Sequence, residues 1–199
     1  MANIERTMEN LKKRGFHVSR FSDKEAAIQY LLEEVGDAAV GISGSMTVEE
    51  MNLYPRLIER GVVHAHQYQK EPGVIQQANA SPVYIMSANG VSESGLVINI
   101  DGRGNRVATM CYGQEKVYYI IGTNKIAPTD EEAMWRARNI ASPKNARRLN
   151  KNTPCATGEL KCHDCRVPDR ICRIFVILEH PPFGIPHSEV IIIDEALGY

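Results

Sequence analysis

The sequence contains no long apolar segment, and this absence argues against a membrane-spanning protein. No run approaches the ~18 residues that span a bilayer, and the longest runs, VIIID and IFVIL, have the length of buried strands. The N-terminal stretch MANIERTMENLKKRG carries acids and bases at helical spacing and no apolar h-region, so it does not resemble a signal peptide. We therefore expect no membrane span and a cytoplasmic location, where reducing conditions disfavour disulfides.

The sequence also lacks a strong charge bias and a nucleotide-binding signature. Its net charge of −1 gives no general electrostatic reason to bind nucleic acid or an anionic membrane. The cationic stretch from Lys144 to Lys151 is either a local basic patch or, as we favour, the solvated end of a helix. The glycines match neither the dinucleotide fingerprint nor a P-loop, so no nucleotide is predicted. Without repeats or low-complexity tracts, and with 43% hydrophobic residues, residues 1–199 are predicted to form a single domain.

Strand and helix patterns alternate along the first half of the chain. Buried-strand candidates such as AAVGIS (38–43) and VYIMSA (83–88) are separated by helical segments, which predicts a mostly parallel wound sheet with helices on both faces. The rhythm then changes, because GLVINI, RVATMCYG and KVYYIIG follow closely, with DGRGN between the first two. This spacing predicts an antiparallel hairpin section near 95–121. A helix from about Thr129 to Leu149, a cysteine-rich loop and two final strands complete a Rossmann-like α/β fold.

Two polar turns carry the residues best suited to chemistry. GISGSMTVEE lies between a buried strand and a helix, where backbone N–H groups suit a phosphate or carboxylate; the alternative is a tight turn with a Ser or Thr cap. SANGVSESGLVINIDGRGNR (87–106) offers a carboxylate beside small residues, able to act as base or nucleophile, and an arginine able to pair with an anion; the alternative is ordinary turns and a salt bridge. Because ligands bind beyond the carboxyl ends of such strands, both turns are expected to line one crevice for a small anionic metabolite. The predicted residues are Gly44, Ser45, Thr47, Asn89, Asn105 and Arg106 as ligand contacts and Glu93 as the catalytic residue.

Four of the five cysteines lie within CATGELKCHDCRVPDRIC (155–172). The central C-x-x-C can chelate from one turn, and the flanking pair completes a four-thiolate set if the loop folds back. Arg166, Arg170 and Arg173 would offset the negative charge of such a site, and His163 is interpreted as a bystander. A metal ion or cluster is favoured over switchable or structural disulfides and over plain thiols. The predicted ligands of zinc or an iron–sulfur cluster are Cys155, Cys162, Cys165 and Cys172.

A family resemblance extends over about residues 3–199. VGISGSMTVEE, ANGVSESGLVINIDGRGNRVA and VYYIIGTNKIAPTDEEAMWRARNIASPKNARRLN, with the cysteine-rich tail, resemble the LUD (lactate-utilisation) domain. The resemblance implies a fold like that of the glucosamine-6-phosphate isomerase, ribose-5-phosphate isomerase and CoA-transferase group. It also implies a role in bacterial oxidation of lactate or a similar organic acid, beside iron–sulfur oxidoreductase subunits, and it inclines the cysteine prediction towards an iron–sulfur cluster.

One short motif bears on enzymatic activity. Ser92–Glu93–Ser94–Gly95 is similar to the Ser-Glu-Asn-Gly stretch of CoA-transferases, whose glutamate forms a thioester with the acyl group. Ser94 replaces the asparagine and no CoA-binding region matches, so a binding or acid–base role for Glu93 is favoured. Three functions stay open: a LUD-type component of organic-acid utilisation, a CoA-transferase- or sugar-phosphate-isomerase-like enzyme using Glu93, and a metal, redox or assembly module that meets a partner protein through the cysteine loop. The pattern decides neither the oligomeric state nor whether the chain is an enzyme.

Overall fold

A computed structural model describes residues 2–199. The helices are α1 (Ile4–Lys13), α2 (Lys24–Val35), α3 (Met46–Glu50), α4 (Leu53–Ile58), α5 (Val74–Ala80), α6 (Asn105–Thr109), α7 (Asp130–Arg136), α8 (Ser142–Arg148) and α9 (Pro154–Thr157). The strands are β1 (His17–Phe21), β2 (Val40–Ile42), β3 (Val63–Ala65), β4 (Val83–Met86), β5 (Gly90–Ser92), β6 (Val97–Asp101), β7 (Lys116–Gly122), β8 (Ile126–Ala127), β9 (Ile174–Leu178) and β10 (His187–Ile193). A 3-10 turn (Thr123–Lys125) follows β7, and a π-helical turn (Ala137–Ala141) joins α7 to α8.

The main sheet has six parallel strands in the order β1-β10-β7-β4-β2-β3. Successive residues of β7 enter different clusters, Tyr118 and Ile120 on one face and Tyr119 and Ile121 on the other. This alternation buries both faces, as expected when helices cover a parallel sheet on both sides. The predicted α/β wound fold is confirmed.

The strand order creates a crevice between two neighbouring strands. From β2 the chain moves outwards to β3 at the sheet edge, whereas β4 lies on the other side of β2 and is followed by strands further in that direction. The carboxyl ends of β2 and β4 therefore open at a topological switch point, which is where open α/β sheets bind ligands.

A second sheet, in the order β8-β5-β6-β9, contains the antiparallel pairs. Its β6 pairs with β5 and β9, so antiparallel structure does occur in this part of the chain. The segment RVATMCYG (106–113), expected to be a hairpin strand, instead contributes to α6 and a turn. The reason is local, since Asp101 Oδ1 accepts hydrogen bonds from the backbone N–H groups of Arg103 and Gly104 and turns the chain into a helix. The distant β9 takes the sheet edge that the hairpin strand would have occupied.

The sequence TVEEMNLYPRLIERG (47–61) is typical of a helix that Pro55 should kink or split, and the structure divides it into α3 and α4. The break lies at Asn52, which adopts a left-handed conformation with φ 55°. Pro55 lies in the first turn of α4, where its missing N–H costs nothing. Among residues 2–199, no helix combines the length and apolar character needed to cross a membrane. The single domain over residues 1–199 stays a prediction.

Candidate functional site

A cleft of about 520 Å³ opens at the switch point. Ser43 and Gly44, which follow β2, and His66, which follows β3, line one side, and Asn89 after β4 lies in the floor. The remaining walls come from the turn 101–106, the end of α8 and the segment 168–173 of the cysteine-rich loop. Its volume lies within the range of sites for small metabolites and cofactors.

The cleft is strongly cationic although the whole chain is nearly neutral. Six basic side chains line it, against two carboxylates, in a chain of net charge −1. The basic residues are Arg103, Arg106, Arg148, Lys151, Arg170 and Arg173, and the acidic residues are Asp101 and Asp169. A concave surface with such an excess of one sign concentrates ligands of the opposite sign.

Arg106 is held in place before any ligand arrives. Its Nε donates to Asp101 Oδ2 at 3.1 Å, and its Nη2 donates to the carbonyl of Ile100 at 2.5 Å. The same Nη2 lies 3.4 Å from Asn89 Oδ1, which also accepts from the N–H of Ile100 at 2.7 Å. These bonds join the turn 101–106 to the end of β4, so the guanidinium presents a fixed orientation to the cleft.

Three other guanidinium groups of the cleft have no carboxylate partner. Within residues 2–199, Arg103, Arg148 and Arg173 form no salt bridge. Arg173 donates instead to the backbone carbonyls of Arg170 and Pro168. The Arg148 side chain donates to Asn145 Oδ1 and Tyr199 Oη, both neutral. Lys151 differs, because its Nζ lies 3.0 Å from Asp169. The charges of Arg103 and Arg148 are therefore available to an anion.

Two neutral polar groups in the cleft also lack hydrogen-bond partners. Ser43 is only 2% exposed, and its Oγ, like Nδ1 of His66, is buried without a partner in the described part of the chain. Burial lowers the pKa of His66, and the charges of Arg103 and Lys70 act in the same direction. The lowered pKa favours the neutral imidazole, whose unpartnered ring nitrogen can donate or accept one hydrogen bond. Buried polar groups without partners cost free energy, so these two favour a ligand with polar atoms.

A family model named the LUD domain matches residues 4–193. The chain belongs to the LUD domain family. A solved structure of a DUF162 family protein from Deinococcus radiodurans is similar to this LUD domain with a TM-score of 0.57 and 12% identity, over 96% of this chain and 95% of the other. At this identity the likeness shows the fold. No curated protein sequence matches the chain.

Of the contacts predicted from the sequence, four line the cleft of this LUD domain. These are Gly44, Asn89, Asn105 and Arg106. Ser45 and Thr47 lie behind it, because the Ser45 side chain accepts from the N–H of Val48 as the cap of α3, and Thr47 Oγ1 lies 3.2 Å from Ser87 Oγ. The capping alternative is the one that the structure contains at Ser45.

Glu93 is not among the residues that line the cleft. Its carboxylate accepts hydrogen bonds from the backbone N–H of Asn3 at 2.9 Å and from Arg6 Nη1 at 3.0 Å. The Asn3 N–H, followed by the Arg6 guanidinium, lowers the pKa of the Glu93 carboxyl. The expected meeting of Glu93 with the glycine turn is therefore absent, because the turn between β5 and β6 faces α1. A catalytic role for Glu93 stays a prediction that this geometry does not support.

Sequence reasoning missed several basic residues and His66. Arg148 and Lys151 belong to the stretch that was interpreted as the solvated end of a helix, whereas they line the cleft. Arg170 and Arg173 were assigned only to charge compensation at the cysteines. The signal was the unusual density of basic residues in two segments, but nothing local indicated that the two segments face each other.

The four clustered cysteines line a second, small cavity of about 20 Å³ beside the cleft. All four are free thiols, and burial raises the pKa of Cys172. Within residues 2–199, no three His, Cys, Asp or Glu side chains are placed as a metal-binding group. The loop thus folds back as predicted, but its thiols are not arranged as ligands. Arg170 and Ser142 line both cavities, so the cysteine loop forms part of the cleft wall.

Proposed function

We propose that the cleft of this LUD-domain protein binds a small anionic metabolite of the organic-acid class. The excess of six basic over two acidic lining side chains is the observation that carries the proposal. Arg106 Nε and Nη2 already donate within the protein, which leaves Nη1 of the fixed guanidinium to donate to a carboxylate or phosphate. Ser43 Oγ and His66 Nδ1, both without partners, suit a hydroxyl or carbonyl on the same molecule.

The resemblance to lactate-utilisation domains supports a place in oxidation of lactate or a similar hydroxy acid. On that ground we propose that the protein works in the cytoplasm with iron–sulfur oxidoreductase subunits that use the same metabolite. A hydroxy acid combines a carboxylate with a neighbouring hydroxyl, which are the two kinds of group that the cleft can bind. Copurification of the tagged full-length protein from its native cell, followed by identification of the attached subunits, tests this partnership.

Arg103→Ala is expected to weaken organic-acid binding without loss of stability. A hydrogen bond to a charged group contributes about 1.5 to 3 kcal/mol, so the Kd should rise roughly 10- to 100-fold. The Arg103 guanidinium forms no salt bridge within residues 2–199, so its removal leaves no buried carboxylate unpaired. Calorimetric titration with lactate, malate and phosphoglycerate, with the melting temperature as a check, makes the measurement.

Arg60→Ala is the matched control for this variant, because Arg60 is exposed and lies outside the cleft. It should bind each acid as the unmodified protein does. If Arg103→Ala also retains full affinity for every acid that binds, the basic wall is not the recognition surface.

We further propose that the cysteine cavity binds a thiophilic metal, as zinc or an iron–sulfur cluster. The convergence of four thiols on one small cavity supports this second function. Four thiolates are a complete ligand set for either group. Since the thiols are not arranged as ligands, binding would draw the side chains together.

Anaerobically purified protein is expected to contain about one equivalent of zinc, or iron with matching sulfide, per chain. Paired replacement Cys162→Ser and Cys165→Ser should remove the metal and lower the melting temperature, since metal binding contributes folding free energy. Cys111→Ser is the control, because Cys111 lies outside the loop and does not line the cavity. Elemental analysis, a visible spectrum and thiol titration measure the outcome; colourless, metal-free protein with every thiol free would end this proposal.

A further inference from the structure

Two buried cations lie behind the floor of the cleft without a carboxylate partner. Lys125 is 3% exposed and Arg136 is 7% exposed. Neither forms a salt bridge within residues 2–199. Lysine and arginine are almost never fully buried unless they are paired. Packing alone therefore does not explain why Lys125 and Arg136 are buried without carboxylate partners.

Both cations bond to the same short segment of backbone. Lys125 Nζ donates to Ser87 Oγ at 3.0 Å and to the carbonyl of Ala88 at 3.3 Å. Arg136 Nη1 donates to the carbonyl of Asn89 at 2.5 Å. This segment continues β4 into the cleft floor, and Asn89 lines the cleft. The two charges thus lie against the backbone that contacts the ligand space.

Few groups oppose the positive charge at Lys125. Burial is the main reason that its pKa falls to about 7, and the charges of Arg136 and Arg106 add to the effect. Within residues 2–199, Glu50 is the one carboxylate that raises the pKa of Lys125, and its effect is the smallest. From the remaining neighbouring elements, α3 and the end of β4 contribute the hydroxyls of Thr47 and Ser87, and the C-terminal segment approaches Lys125 at Gly198, which has no side chain. The missing countercharge is not supplied by the described part of the chain.

We infer that the cleft binds its ligand as a dianion, and that Lys125 is a positioning residue that takes up a proton when the dianion binds. The inference rests on the proposed anion-binding function of the cleft. The free guanidinium groups in the cleft wall would balance one negative charge on the ligand. Lys125 and Arg136, which lie behind the cleft floor, would stabilise a second negative charge. The proton passes from solvent to the neutral amine, and the resulting ammonium holds Ser87 and Ala88, and through them the floor, in place.

Sulfate is the probe for this inference, since it keeps its double charge across neutral pH. Calorimetric titrations at roughly pH 6.5 and 8.5, each in two buffers of different ionisation enthalpy, give the Kd and the number of protons taken up. The Kd for sulfate is expected to rise about 10-fold between the two pH values, because the unliganded amine must be protonated at the higher pH. Proton uptake should approach one per site at the higher pH, and acetate, a monoanion, should bind at least about 10-fold more weakly than sulfate.

Three variants separate this role from a merely structural one. Lys125→Met should bind sulfate weakly, with no proton uptake and no pH dependence, while Lys125→Arg should bind tightly and independently of pH. Lys116→Met is the control, because Lys116 lies at the opposite end of β7 and pairs with Glu34; it should behave as the unmodified protein. If Lys125→Met does not fold, the ¹³C shift of the Lys125 ε-carbon in the unmodified protein, titrated with and without sulfate, measures the same proton.

The outcomes distinguish the inference from the function on which it rests. Sulfate binding with equal affinity at both pH values and no proton uptake overturns the inference and leaves anion binding intact. Organic monoanions that bind while sulfate does not overturn it as well. Failure of sulfate and of every organic acid to bind overturns both the inference and the proposed function.

Discussion

Lys125→Met is expected to raise the free energy of unfolding at pH 6 and to lower it slightly at pH 10. The pKa of Lys125 falls from its ordinary 10.5 to about 7, a difference equivalent to about 5 kcal/mol. Methionine has a similar length and an apolar, adaptable side chain. It also forfeits the hydrogen bonds to Ser87 and Ala88, at a cost of about 1 to 2 kcal/mol.

The sign of the effect follows from proton linkage. Below about pH 7 the amine is charged in both the folded and the unfolded chain, so the full cost of burying the ammonium is present. Between about pH 7 and 10.5 the folded protein releases the proton before the unfolded chain does, so stability rises with pH. The Lys125→Met variant has no amine at this position, so its stability does not rise with pH in this way. It should therefore be more stable by about 3 kcal/mol at pH 6 and less stable by about 1 kcal/mol at pH 10.

Equilibrium unfolding in urea at the two pH values measures this difference directly. Lys116→Met again serves as the control, because Lys116 is partly exposed and paired with Glu34. Its effect should be below about 1 kcal/mol, as for other exposed ion pairs. Equal destabilisation by Lys125→Met at both pH values would show that Lys125 keeps its ordinary pKa in the folded protein, since stability depends on pH only where folding changes the number of bound protons.

Gly41→Ala is expected to destabilise the protein by at least about 3 kcal/mol, because no space exists for a methyl group in β2. A Cβ atom at this position would lie 2.1 Å from the carbonyl oxygen of Ala78 and 2.7 Å from Cδ2 of Tyr84. Ala78 belongs to α5, so the helix backbone itself must move away from the sheet. The displacement would also reach Ser43 and Gly44 at the cleft, so organic-acid affinity should fall with stability.

Gly61→Ala is the comparison for this substitution. A Cβ there would meet only the carbonyl of Asp37 at 3.6 Å, an ordinary contact. The change should alter the free energy of unfolding by less than about 0.5 kcal/mol. Chemical denaturation of both variants tests the pair, and similar stability of the two would show that α5 is not packed against β2 as closely as the structure has it.

Local signals were sufficient for most of the wound fold and for four contacts of the cleft. The buried strands ending at Ile42 and Met86 are short apolar runs followed by small and polar residues, and that pattern places Gly44 and Asn89 at one sheet edge. The same reasoning failed at residues 106–113, where two backbone N–H groups bond to Asp101 and begin a helix. The apolar residues of 106–113 pack against the sheet, and they do not form a strand of it.

The candidate site was harder to predict because half of its wall is brought in from distant segments. Arg148 ends α8, and Arg170 belongs to the cysteine loop, yet both face the turn containing Arg103. No sequence pattern pointed to Lys125, since its importance follows from its burial without a carboxylate partner, which only the structure shows. Glu93 had the most suggestive motif, and the structure turns it to Arg6 on α1.

By itself the sequence determined the family, the alternation of strands and helices, and the polar turns at Gly44, Asn89 and Arg106. These follow from periodicity and turn chemistry, which act over a few neighbouring residues. Only the tertiary structure decided that Glu93 lies away from the cleft, that the cysteine loop forms one of its walls, and that Lys125 and Arg136 lie behind its floor. Such proximities depend on which distant elements bury one another, and the charge environment of a side chain exists only once that packing is complete.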